Sequence, residues 1–171
     1  TSNDDSSVLI GEPAPDFVLP GLDGQNYTLS AQLGQPVLLI YFALGEAVSA
    51  EVSDIEATIW QDYKDRGVVL WGIAPEDSYA NLVEFQTQMG LTFPILYDEG
   101  GSVQDLYNPG AVPTDSKYPQ DWIVGSDGRV KYVNTIYDPM EIRAILDAEL
   151  TSESVNPIVQ GYFYVFRGPY A

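Results

Sequence analysis

Covalent and acid–base chemistry have few places to come from in this chain. The sequence holds no cysteine and no histidine, and 7 Lys and Arg stand against 25 Asp and Glu. That removes disulfides, thiolate catalysis, cysteine-ligated metal and the commonest general base. Carboxylates, hydroxyls and backbone N–H groups remain. Their first concentration lies where the apolar run Val37–Ala43 breaks into Leu44-Gly45-Glu46-Ala47-Val48-Ser49-Ala50-Glu51. A strand that enters a helix through a short loop places such groups at the carboxyl edge of a sheet, where ligands bind in open α/β folds. The loop Gly45–Ser49 is therefore the first candidate site. Ser49 has no His or Lys near it in sequence to activate its hydroxyl, and its simplest role is the N-cap of the following helix.

A second group is Glu46, Glu51, Glu76 and Asp77, acids that two loops bring to one sheet edge. A hard cation takes several oxygens at regular loop spacing, and neither these acids nor Asp98–Asp105 has that spacing, so they read as solvated acids. Tyr118, Trp122, Trp71 and Trp60 lie at or near strand ends, as core or rim aromatics, with a ligand groove the alternative. Arg129 falls in a hairpin turn and reads as a surface residue. Asn26-Tyr27-Thr28 is formally a glycosylation acceptor that chance alone explains. No metal and no cofactor is assigned.

The elements that must position these residues follow from period and punctuation. Val37–Ala43, rich in branched and aromatic types, predicts a strand buried on both faces. Val48, Val52, Ile55, Ile59 and Tyr63 recur at helical steps, with Gly67 as the stop. Before them, Gly11–Leu19 and Tyr27–Leu29 form a hairpin, and Ser30–Leu33 one helical turn closed by Gly34. After them, Val68–Ile73 is a second buried strand, parallel to the first. Leu82, Phe85 and Met89 line a helix ended by Gly90, and Phe93–Tyr97 is a third strand. A short helix carries Val103, Leu106 and Tyr107, and the loop Asn108–Tyr118 follows. Trp122–Val124 and Val130–Asn134 pair across Ser126-Asp127-Gly128. Asp138-Pro139-Met140-Glu141 sets N-cap, N1 proline and N3 glutamate in register for a helix to about Leu150. The prediction is one domain over 11–150, with a flexible leader at 1–10 and an extension at 151–171.

Three segments carry a family resemblance: Gly11-Glu12-Pro13-Ala14-Pro15-Asp16-Phe17; Gly72–Asp77 followed by a helix and Leu91–Leu96; and Tyr118–Val124 with Asp127-Gly128-Arg129-Val130. In order and at these distances they resemble the thioredoxin-like redoxin group, which holds the alkyl hydroperoxide reductase/thiol-specific antioxidant proteins, other peroxiredoxins and exported thiol reductases. The resemblance implies an α/β thioredoxin-like fold, a central mixed sheet flanked by helices. It also implies that Pro119, beside Tyr118, is a cis-proline facing the loop Gly45–Ser49. The family's loop cysteines fall at Gly45 and Val48, or, with a shift of one residue, at Glu46 and Ser49. Neither pair exchanges a disulfide. The chain thus reads as a redox-inactive member with a binding or assembly role. The alternative is a thiol peroxidase or thiol-disulfide reductase in which Ser49 replaces a natural cysteine.

A formal charge of −18 repels phosphate backbones and anionic headgroups, so nucleic acid and lipid surfaces are excluded as partners. No run of about 18 apolar residues crosses a membrane. The acidic composition and the polar lead TSNDDSS favour export, periplasmic or extracellular, over the cytoplasm. Past a polar linker at Thr151–Pro157, Gly161–Arg167 (GYFYVFR) predicts a strand. It either folds onto its own sheet edge or docks a protein partner or a second copy of the chain, with Tyr162, Tyr164 and Phe166 on one face.

Overall fold

The computed structural model describes residues 8–107 and 118–160 of the chain. The leader before residue 8, loop residues 108–117 and the tail after residue 160 lie outside the described residues. Fifteen elements follow the predicted order. Strands β1 (Val18–Pro20) and β2 (Asn26–Thr28) form the hairpin, and a 3-10 turn (Leu29–Gln32) leads to β3 (Val37–Tyr41). Helix α1 (Glu46–Asp54) runs through a π-helical stretch (Ile55–Trp60) into α2 (Gln61–Tyr63). Then come β4 (Val69–Ala74), α3 (Tyr79–Met89), β5 (Ile95–Tyr97), a 3-10 turn (Glu99–Gly101) and α4 (Ser102–Leu106). Strands β6 (Gln120–Val124) and β7 (Val130–Asn134) precede α5 (Pro139–Gln160).

The main sheet has the order β5-β4-β3-β6-β7, with β3, the unbroken apolar run, at its centre. β3 pairs parallel with β4 and antiparallel with β6. Every residue of β3 is buried, because both sheet faces are covered. Leu38, Ile40 and Phe42 pack with Val52, Ile55 and Ile59 of the α1–α2 helix and with Ile142 and Leu146 of α5. Val37, Leu39 and Tyr41 face the other way, toward Phe17, Leu19 and Leu29 of the hairpin region and Val103 and Tyr107 at α4. The helical stripe predicted from Val48 to Tyr63 is buried throughout. A residue in the left-handed region at φ +64°, Gly90, ends α3, and Ser78 opens it by accepting the Asn81 N–H at 3.2 Å.

Several boundaries differ from the sequence reading. β5 begins at Ile95 rather than Phe93, and β6 begins two residues before Trp122. Leu106, which the short helix α4 carries as predicted, is 49% exposed. Helix α5 continues to Gln160, so the stretch read as a polar linker is helical. The Thr151 hydroxyl donates to the Asp147 carbonyl at 2.9 Å, the i−4 bond by which a threonine sits within a helix instead of breaking it. Among the described residues no helix is long and apolar enough to cross a membrane.

Candidate functional site at the sheet edge

Strand β3 ends at Tyr41, and Phe42-Ala43-Leu44 carry the chain over the carboxyl edge to α1. The loop is held from the β4–α3 connection: the Leu44 N–H donates to the Asp77 carboxylate at 2.9 Å. Gly45 is the N-cap of α1, in extended backbone, and Glu46 is the first helical residue. The N-cap therefore lies four residues before Ser49, and the expectation that Ser49 caps the helix is corrected. Ser49 sits in the first turn, where its backbone N–H (3.3 Å) and its hydroxyl (3.2 Å) both donate to the Gly45 carbonyl. A hydroxyl turned back onto the helix is not aimed outward as a nucleophile. Val48 is buried against the sheet, and Gly45 and Ala47 are exposed.

Across the edge, the Tyr118–Pro119 peptide bond is cis. The Tyr118 hydroxyl donates to Gln104 Oε1 at 2.9 Å, with the Glu76 carboxylate also in reach. Burial, then Glu76, push this phenol far above its ordinary range. Gln104 is itself buried and anchored: its N–H and that of Val103 donate to the two oxygens of Asp98, at 2.9 and 3.2 Å. Asp98, 1% exposed, is thus satisfied by the start of α4. Beside it Tyr41 Oη and Gln104 Nε2 are buried without a protein partner. This corner joins two phenols, the Gln104 amide and the carboxylates of Asp98 and Glu76.

Beneath α1 lies a second set, of which the sequence reading named Glu51 and missed Asp121. Asp121 of β6 is paired with Ile40, so it shares the sheet face covered by α1 and α5. It is 1% exposed, and neither carboxylate oxygen has a hydrogen-bond partner. Burial and the nearby Glu51 charge push it up to about 8, so it is a neutral acid near pH 7. Glu51, read as a solvated acid, is half-buried and shifted upward by that burial. Tyr137 donates to Asp54 Oδ2 at 2.6 Å beside them. The sequence signal was an acid two residues after a proline and two before Ile123. Had the strand been started at Gln120, period-two alternation would have put Asp121 on the Ile123 face.

The other candidates disperse. Trp71 and Trp122 are core residues, Tyr107 meeting Trp122 edge-on at 5.2 Å, and Trp60 Nε1 donates to Thr92 Oγ1 at 3.0 Å. Arg129 is exposed and donates to the Gly11 carbonyl at 2.9 Å. Among the described residues no group of three acids is placed to hold a metal ion.

Known proteins of similar sequence and shape agree on the fold. The thiol-disulfide oxidoreductase ResA of Geobacillus kaustophilus is 28% identical over 152 residues, 89% of this chain and 81% of its own length. A solved structure described as a candidate protein disulfide isomerase from Bacteroides thetaiotaomicron matches with TM-score 0.72 and 26% identity, over 82% of this chain and 87% of that one. A thiol:disulfide interchange protein of the thioredoxin family from Chlorobium tepidum, 19% identical, matches with TM-score 0.70 over 81% and 95%. With the central strand, the mixed sheet and the 118–124 segment in place, the family profile that matches residues 10–133 fits the structure, and the chain belongs to the AhpC/TSA family.

Proposed function

We propose that this chain is a redox-inactive member of its family that uses the fold for binding or assembly. The observation that carries the reading is the absence of any cysteine from a chain whose residues 10–133 match the family. Thiol–disulfide exchange and peroxide reduction both need a thiolate nucleophile. At the loop, Gly45 has no side chain, Val48 is buried and aliphatic, and the Ser49 hydroxyl is spent on a backbone carbonyl. A serine hydroxyl so placed, without a neighbouring base, is not ionised at physiological pH. Activity as a peroxidase or reductase, with Ser49 standing where the natural protein has cysteine, is the competing outcome of the test.

The reading extends to place and partner. The acidic composition favours work outside the cytoplasm, and the tail Gly161–Arg167 is the docking element for a protein partner or a second copy. Peroxide-consumption and insulin-reduction assays on the natural gene product are expected to stay at background with and without a thiol alkylator. Turnover abolished by the alkylator overturns the reading. Removal of residues 161–171 should leave a folded monomer and abolish the larger species in light scattering. Full-length protein that stays monomeric and partnerless at high concentration overturns the docking role.

A further inference from the structure

Asp121 is a carboxyl group with no ordinary means of carrying its charge. Both of its oxygens are buried and unpartnered. The groups facing it are acids and phenols: Glu51 from α1, Tyr132 from β7, and Tyr137 ahead of α5. Asp54 of α1 acts on Tyr137, and Asp138 and Glu141 on Tyr132, so the charged groups of this set are all acids. From β3 it meets the aliphatic Ile40. The basic residues described are engaged elsewhere: Lys64 with Gln61, Arg66 with Asp147, Arg129 with Gly11, Lys131 with Asp127 and Arg143 with Asp62. A metal ion would need a third carboxylate that the described residues do not bring together. A proton is the cation that fits.

We propose that Asp121 is a proton-operated latch for α1: its neutral carboxyl lets the helix seat on the sheet, and each opening of α1 that admits water releases that proton. The step is a simple ionisation, Asp121–COOH giving carboxylate and a proton to solvent. Helix α1 is the part that yields. Asp121 is fixed in β6, hydrogen-bonded to β3 on one side and β7 on the other, whereas α1 meets the sheet through side chains such as Val48 and Val52. Glu51 and Asp54, which the ionised Asp121 would repel, both ride on α1. The raised pKa described above supports the same picture. Since Gly45–Ser49 is the start of α1, the latch makes the shape of that loop depend on pH, whatever the loop binds.

The linkage has a defined sign. Opening exposes an acid with an ordinary pKa of about 4, while the closed state holds its proton to a higher pH, so raising the pH between the two favours opening. Amide hydrogen exchange in Glu46–Asp54, corrected for intrinsic rates, should lose roughly a hundredfold of protection from about pH 5 to about pH 7. In Asp121→Asn most of that loss should disappear. In Glu51→Gln the loss should level off at a lower pH, because the like charge is gone; this variant decides the matter if Asp121→Asn does not fold. Infrared spectra near pH 6.5 should show a protonated-carboxyl C=O stretch that Asp121→Asn lacks. Equal pH responses in wild type and Asp121→Asn, a Glu51→Gln profile identical to wild type, or a wild-type spectrum without that band overturns the proposal.

Discussion

The Tyr137 hydroxyl donates to Asp54 Oδ2 at 2.6 Å, tying the residue two before α5 to the last residue of α1. Two helices that lie side by side on one sheet face are thereby joined by a charge-assisted bond. Removing the donor in Tyr137→Phe keeps the ring in place and leaves Asp54 to water. The expected cost is about 1–2 kcal/mol, read as a lower urea midpoint at unchanged m-value.

A second expectation concerns pH and the whole fold. Because folding raises the Asp121 pKa to about 8, the native state binds more protons than the unfolded state above the ordinary carboxylate value. Stability is then full below about pH 4 on this account and falls by roughly 1.4 kcal/mol per unit until the folded pKa is passed. Asp23 and Asp127 act in the opposite sense. The Tyr27 hydroxyl holds Asp23 below its ordinary value, and, against a burial cost, the Arg129 N–H and Lys131 do so for Asp127. Their contribution is lost as pH falls below the usual carboxylate range. Urea melts across pH should show a maximum on the acidic side of neutral, and Asp121→Asn should flatten the neutral limb.

The loop tether is open to a local test. Asp77→Ala removes the acceptor of the Leu44 N–H, a bond that spans the β3–α1 and β4–α3 connections. Exchange of the Leu44 amide should accelerate by roughly tenfold, consistent with about 1–2 kcal/mol, while amides of β3 stay protected.

Packing at the centre is tight enough to punish a single methyl. A Cβ on Gly72 of β4 would stand 2.9 Å from Phe42 Cε1 and 3.3 Å from Phe93 Cε2. Gly72→Ala should cost about 1–3 kcal/mol and Gly72→Val more, in thermal melts, through displacement of these rings.

The strands and helices were legible because they depend on local pattern. The unbroken β3 run, the buried stripe from Val48 to Tyr63 and the Asp138 start of α5, whose carboxylate accepts the Glu141 N–H at 3.1 Å, each carry their signal in neighbouring residues. The candidate site was less legible. Ser49 looked like a cap because serine is a good one, yet the extended conformation of Gly45 took that place. Asp121 and Glu51 escaped because burial of an acid is decided by which helix lies over it, and no residue adjacent in sequence records that. The Thr151–Pro157 composition resembled a linker, while α5 had already been propagated through it from a packed stem.

The π-helical turn at Ile55–Trp60 closes with one residue more per turn than the α-helix on either side. A relative whose corresponding helix is α throughout would then superpose on this chain in one numbering before Ile55 and in another, displaced by a single position, after Trp60. The two placements that the resemblance gives the family's loop cysteines on this chain, at Gly45 and Val48 or at Glu46 and Ser49, also differ by one position. The wide turn therefore decides which residues of the helix a relative with an unbroken α-helix would match in space on its far side.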